Sequence, residues 1–146
     1  MPTELTRVVY TTNASARGGR EGHVTSADGA IDLDTARPGS AGEPKANPES
    51  LFAAGYAACF QNALINRART KKIDASDSTV TATVSLGTTE DGGFGLAVEL
   101  SVDIPGVEQA TAQELAGLAH QFCPYSKATR GNINVTVKAA QPTTAA

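Results

Sequence analysis

Four residues have types and settings that suit redox chemistry: Cys59, Cys123, Arg20 and Glu49. Cys59 lies in "NPESLFAAGYAACF", inside its apolar, charge-free part from Leu51 to Phe60. A free cysteine in such a run commonly serves as a small core residue. Its neighbours make that assignment less comfortable. Gly55 costs about 1 kcal/mol relative to Ala inside a helix and opens space one turn before the thiol for a ligand or another backbone. Cys123, in "HQFCPYS", falls at a predicted helix end, where the negative dipole disfavours a thiolate. That suits a cysteine that waits as a thiol and then resolves an oxidised partner. Arg20 stands in the turn cluster "GGREG", which on its own reads as a solvated loop. Glu49 stands at a helix start, where the dipole favours an acid. Together Arg20 and Glu49 would form a pair that holds a guanidinium over Cys59.

Other chemistries find less support. His23 reads as an exposed strand residue. His120 and Cys123 form the only close His/Cys pair, which is too little for zinc. "GGFG" lies in a predicted hairpin rather than between a strand and a helix, so no nucleotide site is implied. The net charge of −3 and the scattered Lys and Arg residues, densest at Lys71-Lys72, argue against nucleic acid. Residues 1–10 lack the apolar core of a secretory signal. The longest charge-free apolar run, Leu51 to Phe60, is about half the roughly 20 residues of a membrane span. A soluble, cytoplasmic protein is expected, where a cysteine pair is structural, metal-binding or redox-active rather than a secreted framework.

The elements that must position these residues follow from patterning. The 146 residues suit one domain, 1–146, with 141–146 as a frayed tail. "TRVVYTTNAS" predicts a strand. "HVTSADGAIDLD" predicts a hairpin with positive φ at Asp28-Gly29, and "TARPGSAGEPKAN" a long loop. Asn47-Pro48-Glu49 starts a helix that reaches about Thr70. Its first half is apolar or small on nearly every face, which predicts burial all round at the centre of the structure. "STVTATVSLG" and "LAVELSVDI" alternate as strands around the turn "EDGGFG". Leu115, Leu118, Ala119 and Phe122 give a helical stripe, stopped at Cys123-Pro124. "INVTVKA" predicts a last strand. The fold class is α+β, with mostly antiparallel sheets around a central helix. One small domain cannot easily bury such a helix, whereas a dimer enclosing two of them would.

In order along the chain, "GGREG", "NPESLFAAGYAACF", "GGFGL", "CPYS" and "ATRGN" resemble the organic hydroperoxide resistance branch of the OsmC/Ohr superfamily, from about Val8 to Val137. The resemblance implies an intertwined α+β homodimer with active sites at the subunit interface. It implies a cysteine-based peroxidase that reduces organic and lipid hydroperoxides to alcohols, regenerated by dihydrolipoyl groups on lipoylated proteins. No metal, nucleotide or other cofactor is implied. Carried over by motif, Cys59 is the peroxidatic cysteine and Cys123 the resolving one. Arg20 activates the thiolate and Glu49 orients Arg20. Two positions depart from the family pattern: Lys127 stands where Asn is usual, and Ala57 where Ser is usual.

The physics of that role bounds the arginine's share. A guanidinium about 4 Å from the sulfur, at an effective dielectric near 20, offers about 4 kcal/mol. Before any opposing desolvation, that is enough for full ionisation, which raises thiolate abundance only about 30-fold because a free thiol is already a few per cent thiolate. Further acceleration would come from stabilising the leaving alkoxide and from an apolar pocket, with Leu51, Phe52 and Phe60 as candidate walls. Two other readings stay open at this level: a Cys59–His120 acyl transferase, and a non-enzymatic peroxide sensor or ligand carrier.

Overall fold

Alternation becomes a sheet where a turn returns the chain on itself. In the computed structural model, which describes residues 2–140, β4 (Thr79–Thr88) and β5 (Phe94–Asp103) form the longest such ladder. The two sequence stripes meet in register: Val80 faces Val102, Ala82 faces Leu100, Val84 faces Val98 and Leu86 faces Leu96. The turn is closed by Asp91, whose carboxylate accepts from Gly93 N–H at 3.0 Å, while Gly92 supplies φ 83°. β6 (Asn134–Ala139) adds to β5 in parallel. A parallel neighbour needs a long crossover, here α2 (Gln109–Phe122) followed by α3 (Pro124–Thr129). Gln113 of α2 satisfies part of the β6 edge, accepting from Ala139 N–H at 2.8 Å.

α1 spans Pro48–Thr70, the bounds the sequence predicts. Lys72, at φ 60°, turns the chain away beyond it. Tyr56, Phe60, Ala63, Leu64 and Ala68 form its buried stripe. They pack with Leu100, Val102, Ile104, Leu115, Ala116 and Ala119 in one core. The all-round burial expected of α1 is not met within a single chain. Ala54, Ala58 and Asn62 remain exposed, because the chain's own sheet covers only one face. No helix among the described residues is long and apolar enough to cross a membrane.

Two compact units divide at Pro48–Glu49. The elements above belong to the second. The first holds a three-stranded antiparallel sheet, β1 (Ala14–Arg17), β2 (His23–Ser26) and β3 (Asp32–Asp34). The strand expected over "TRVVYTTNAS" is largely unpaired. Only its end enters β1, and Val8, Val9 and Tyr10 are exposed. β-propensity marks a segment that fits a sheet but does not supply its neighbour. The β2–β3 hairpin forms as expected, with positive φ at Gly29 alone (75°). Asp28 instead accepts from Ala30 N–H and Ser26 O–H. The tail at 141–146 lies outside the described residues. Helices beside two mostly antiparallel sheets make the fold class α+β, as expected.

His23 lies between two carboxylates, with Nδ1 2.7 Å from Asp34 Oδ1 and Nε2 bonded to Asp32. The hydrogen bonds that its ring donates to Asp34 and then Asp32 raise its pKa above the ordinary imidazole value. The folded form therefore holds its proton more tightly than the unfolded chain. The resulting stabilisation is fully present below the unfolded pKa and disappears as pH rises through the folded one. An NMR titration should place the His23 midpoint above the ordinary value, and Asp34→Asn should lower it. An unchanged midpoint in that variant would discount the pair.

Candidate active site

α1 and the α2–α3 junction bring the two cysteines together. The Sγ atoms of Cys59 and Cys123 are 3.5 Å apart, with the Cys123 thiol donating to Cys59. Both are free thiols. Cys59 is half-buried, whereas Cys123 has no exposed surface. The separation is close to that of reacting atoms poised for attack (about 3–3.5 Å). A disulfide needs only a short further approach.

The sequence treated Cys123 as the end of one helix. It is the end of α2 and the cap of α3 at once, with extended backbone at φ −64° and ψ 125°. The expectation that a negative dipole holds it as a thiol therefore loses its basis, because opposite helix ends meet there. What distinguishes Cys123 is burial and its placement against Cys59. Its side chain makes no capping bond, so the thiol is free to face the other sulfur. α3 itself was missed. Pro124 stops α2 and also occupies the favoured first position of a new helix, a signal that the sequence does carry.

α3 shapes the surroundings of Cys59 in two ways. The backbone N–H of Tyr125 bonds to the Cys59 sulfur, which favours the thiolate. The Tyr125 ring packs over Gly55, so close that a Cβ there would lie 3.0 Å from Oη. The close approach predicted at Gly55 is thus made by a phenol ring. Phe52, Tyr56 and Tyr125 form an aromatic group with centroids 5.7–6.2 Å apart. Phe60, a candidate pocket wall, is instead fully buried in the core. Burial, the largest influence, pushes the Cys59 thiol above its ordinary pKa, and the neighbouring Cys123 adds to this. The Tyr125 N–H opposes the shift without reversing it. A Cys59 thiolate at neutral pH would need a positive charge beyond these groups.

The predicted source of that charge lies in the first unit. Arg20 stands in a 3-10 turn, Gly19–Glu21. Gly18 and Gly19 enter it with φ 79° and 60°. At Gly22 a Cβ would come within 1.8 Å of Arg17 O, so glycine is required. Thr35 holds the loop: its hydroxyl donates to Gly19 O and accepts from Gly22 N–H, both at 2.9 Å. Nothing in the sequence marks Thr35 for this task. Glu49 lies in the first turn of α1 and is partly buried.

His120 does not serve Cys59. Its Nδ1 lies 2.7 Å from Ser126 Oγ, and no hydrogen bond joins it to Cys59 among the described residues. Burial, and then the nearby Arg130 charge, lower its pKa, so the ring is neutral at pH 7. Among the described residues no cluster of His, Cys, Asp and Glu is arranged to hold a metal ion.

Known proteins resemble this chain over most of their length. Residues 39–138 match the family model described as OsmC-like protein. The organic hydroperoxide resistance protein OhrB of Bacillus subtilis is 48% identical over 133 residues, covering 89% of this chain and 97% of that protein. The organic hydroperoxide resistance protein of Xanthomonas axonopodis pv. citri is 46% identical over 138 residues, covering 92% of this chain and 96% of that one. The crystal structure of Bacillus subtilis OhrB superposes with a TM-score of 0.86, covering 91% of this chain and all of its own. With its thiol pair set between α1 and α3, the chain belongs to the organic hydroperoxide resistance family of OsmC-like proteins.

Proposed function

We propose that this protein is a thiol-dependent peroxidase that reduces organic and lipid hydroperoxides to alcohols. The observation that carries the reading is the 3.5 Å approach of a half-buried thiol to a fully buried one. Two relatives at 46–48% identity, each called an organic hydroperoxide resistance protein, support the substrate class. In the first step the Cys59 thiolate attacks the distal peroxide oxygen. An S–O bond forms, the O–O bond breaks, and the alkoxide takes a proton to leave as the alcohol. In the second, the Cys123 sulfur displaces hydroxide from the Cys59 sulfenic acid. The Cys123 proton leaves with that hydroxide as water, and a disulfide remains. A dihydrolipoyl dithiol, carried on a lipoylated protein, then reduces the disulfide and is itself oxidised.

Arg20 has the role of activating the thiolate and stabilising the departing alkoxide, with Glu49 orienting it. No metal or bound organic cofactor takes part. A homodimer is the working form, supported by the uncovered small-residue face of α1 at Ala54 and Ala58 and by the exposed Val8, Val9 and Tyr10. The working compartment is the cytoplasm. An acyl-transfer role for Cys59 and His120 is disfavoured, because the imidazole is engaged by Ser126.

One equivalent of cumene hydroperoxide, followed by mass spectrometry of the peptides, tests the cycle. A Cys59–Cys123 disulfide is expected. Recovery of both thiols free, with the peroxide unconsumed, would sink the reading.

A further inference from the structure

A buried chain of hydroxyls ties α3 to both longer helices. Tyr56 Oη, on α1 one turn before Cys59, lies 2.8 Å from Ser126 Oγ and 3.2 Å from Thr129 Oγ1. Ser126 Oγ lies 2.7 Å from Nδ1 of His120, which is on α2 one turn before Cys123. Thr129 donates to Ser126 O at 3.2 Å. Tyr56 and Ser126 have no exposed surface, and Thr129 is buried.

Counting protons gives this chain a direction. Four contacts must be served, and the three hydroxyls bring one proton each. Thr129 spends its proton on Ser126 O, Tyr56 on Thr129 and Ser126 on Tyr56. Serving the fourth contact as well takes a proton from His120, on Nδ1. The alternative tautomer serves only three of the four: Thr129 would turn its proton into the chain, and Ser126 O would keep the Arg130 N–H at 2.9 Å alone.

We infer that the chain His120–Ser126–Tyr56–Thr129 is a positioning device for disulfide formation, anchoring α3 so that Cys123 stays on the Cys59 sulfur while that sulfur is being oxidised. α3 has six residues, too few to hold helical form unaided. It carries both the Tyr125 N–H and the Cys123 hinge that address Cys59. Its anchors reach one turn upstream of each cysteine, so they set the S–S approach from both sides. A misplacement of about 1 Å is enough to slow a positioned reaction about a hundredfold. The inference rests on the peroxidase reading and goes beyond it, assigning these four residues to the second step.

Tyr56→Phe removes one hydroxyl and keeps the ring; Ser126→Ala is the second variant. Each is mixed with one equivalent of cumene hydroperoxide and quenched over time. Peroxide loss, dimedone-trapped sulfenic acid and disulfide are followed together. The expected result is a fall of about tenfold or more in the rate of disulfide closure relative to peroxide consumption, with trapped sulfenic acid accumulating. In the reduced wild type, ¹⁵N NMR should show His120 protonated on Nδ1, and Ser126→Ala should abolish that preference. Unslowed closure in both variants, or an Nε2-protonated His120 in the wild type, overturns the inference. No oxidation of Cys59 in the wild type overturns the peroxidase reading itself, which separates the two failures.

Discussion

Cys59→Ser should lower turnover of an alkyl hydroperoxide at least about a thousandfold, equivalent to about 4 kcal/mol of barrier. A serine hydroxyl is hardly ionised near neutrality and forms no analogue of a sulfenic acid, so both steps of the proposed cycle are lost together. The fold should survive, because the two side chains are close in size and Cys59 lies at the margin of the core rather than within it. Cys123→Ser provides the contrast. Its first encounter with peroxide should proceed, after which Cys59, lacking its partner, moves on to sulfinic acid under excess oxidant. Stopped-flow peroxide consumption, with mass spectrometry at Cys59, measures both. Wild-type turnover by Cys59→Ser would move the chemistry elsewhere in the chain.

Arg20→Ala should cost about a hundredfold or more in the peroxide step at pH 7, and the loss should shrink as pH rises. The direction follows from Cys59's setting. Burial and the neighbouring thiol hold its pKa above the ordinary value, with only the Tyr125 N–H in opposition. Without a cation the thiolate is scarce at pH 7, and its abundance climbs about tenfold per pH unit until the raised pKa is passed. In the proposed mechanism the guanidinium brings the titration lower, so the wild-type rate should level off at lower pH. Lost ionisation accounts for the part of the effect that shrinks with pH; lost stabilisation of the alkoxide supplies the remainder and persists at high pH. Arg20→Lys should recover part of the ionisation and less of the alkoxide contribution, since ammonium is a point charge rather than a planar fork. Glu49→Gln should act in the same direction as Arg20→Ala, but less strongly. A variant profile that overlays the wild type would remove Arg20 from the mechanism.

How legible these groups were in the sequence depended on whether their signals were local. Asn47-Pro48-Glu49 fixed the start of α1 through the preferences of single positions, and the alternating stripes of β4 and β5 carried their own pairing because a short turn joins them. Pro124 was read as a stop and not as the start it also is, which hid α3 and with it the Tyr125 N–H and the second dipole at Cys123. Val8, Val9 and Tyr10 have the composition of a strand, yet among the described residues no strand pairs with them. The even apolarity of α1 suggested cover on all sides, although one chain supplies a single side. The cysteines' roles came from motif resemblance; their 3.5 Å approach joins residues distant in sequence. Thr35 and Ser126 were invisible because their value lies wholly in which backbone and side-chain atoms the fold sets beside them.

The complete burial of Cys123 has a kinetic consequence. In the proposed cycle a reductant meets the disulfide at the Cys59 sulfur, the same atom that receives the peroxide. Oxidant and reductant therefore share one doorway and visit in turn, neither entering while the other is engaged, which is the condition for ping-pong kinetics. Anything that narrows that doorway against small polar molecules screens both visitors at once, so the preference for one greasy substrate and for one dithiol is set by the same few side chains.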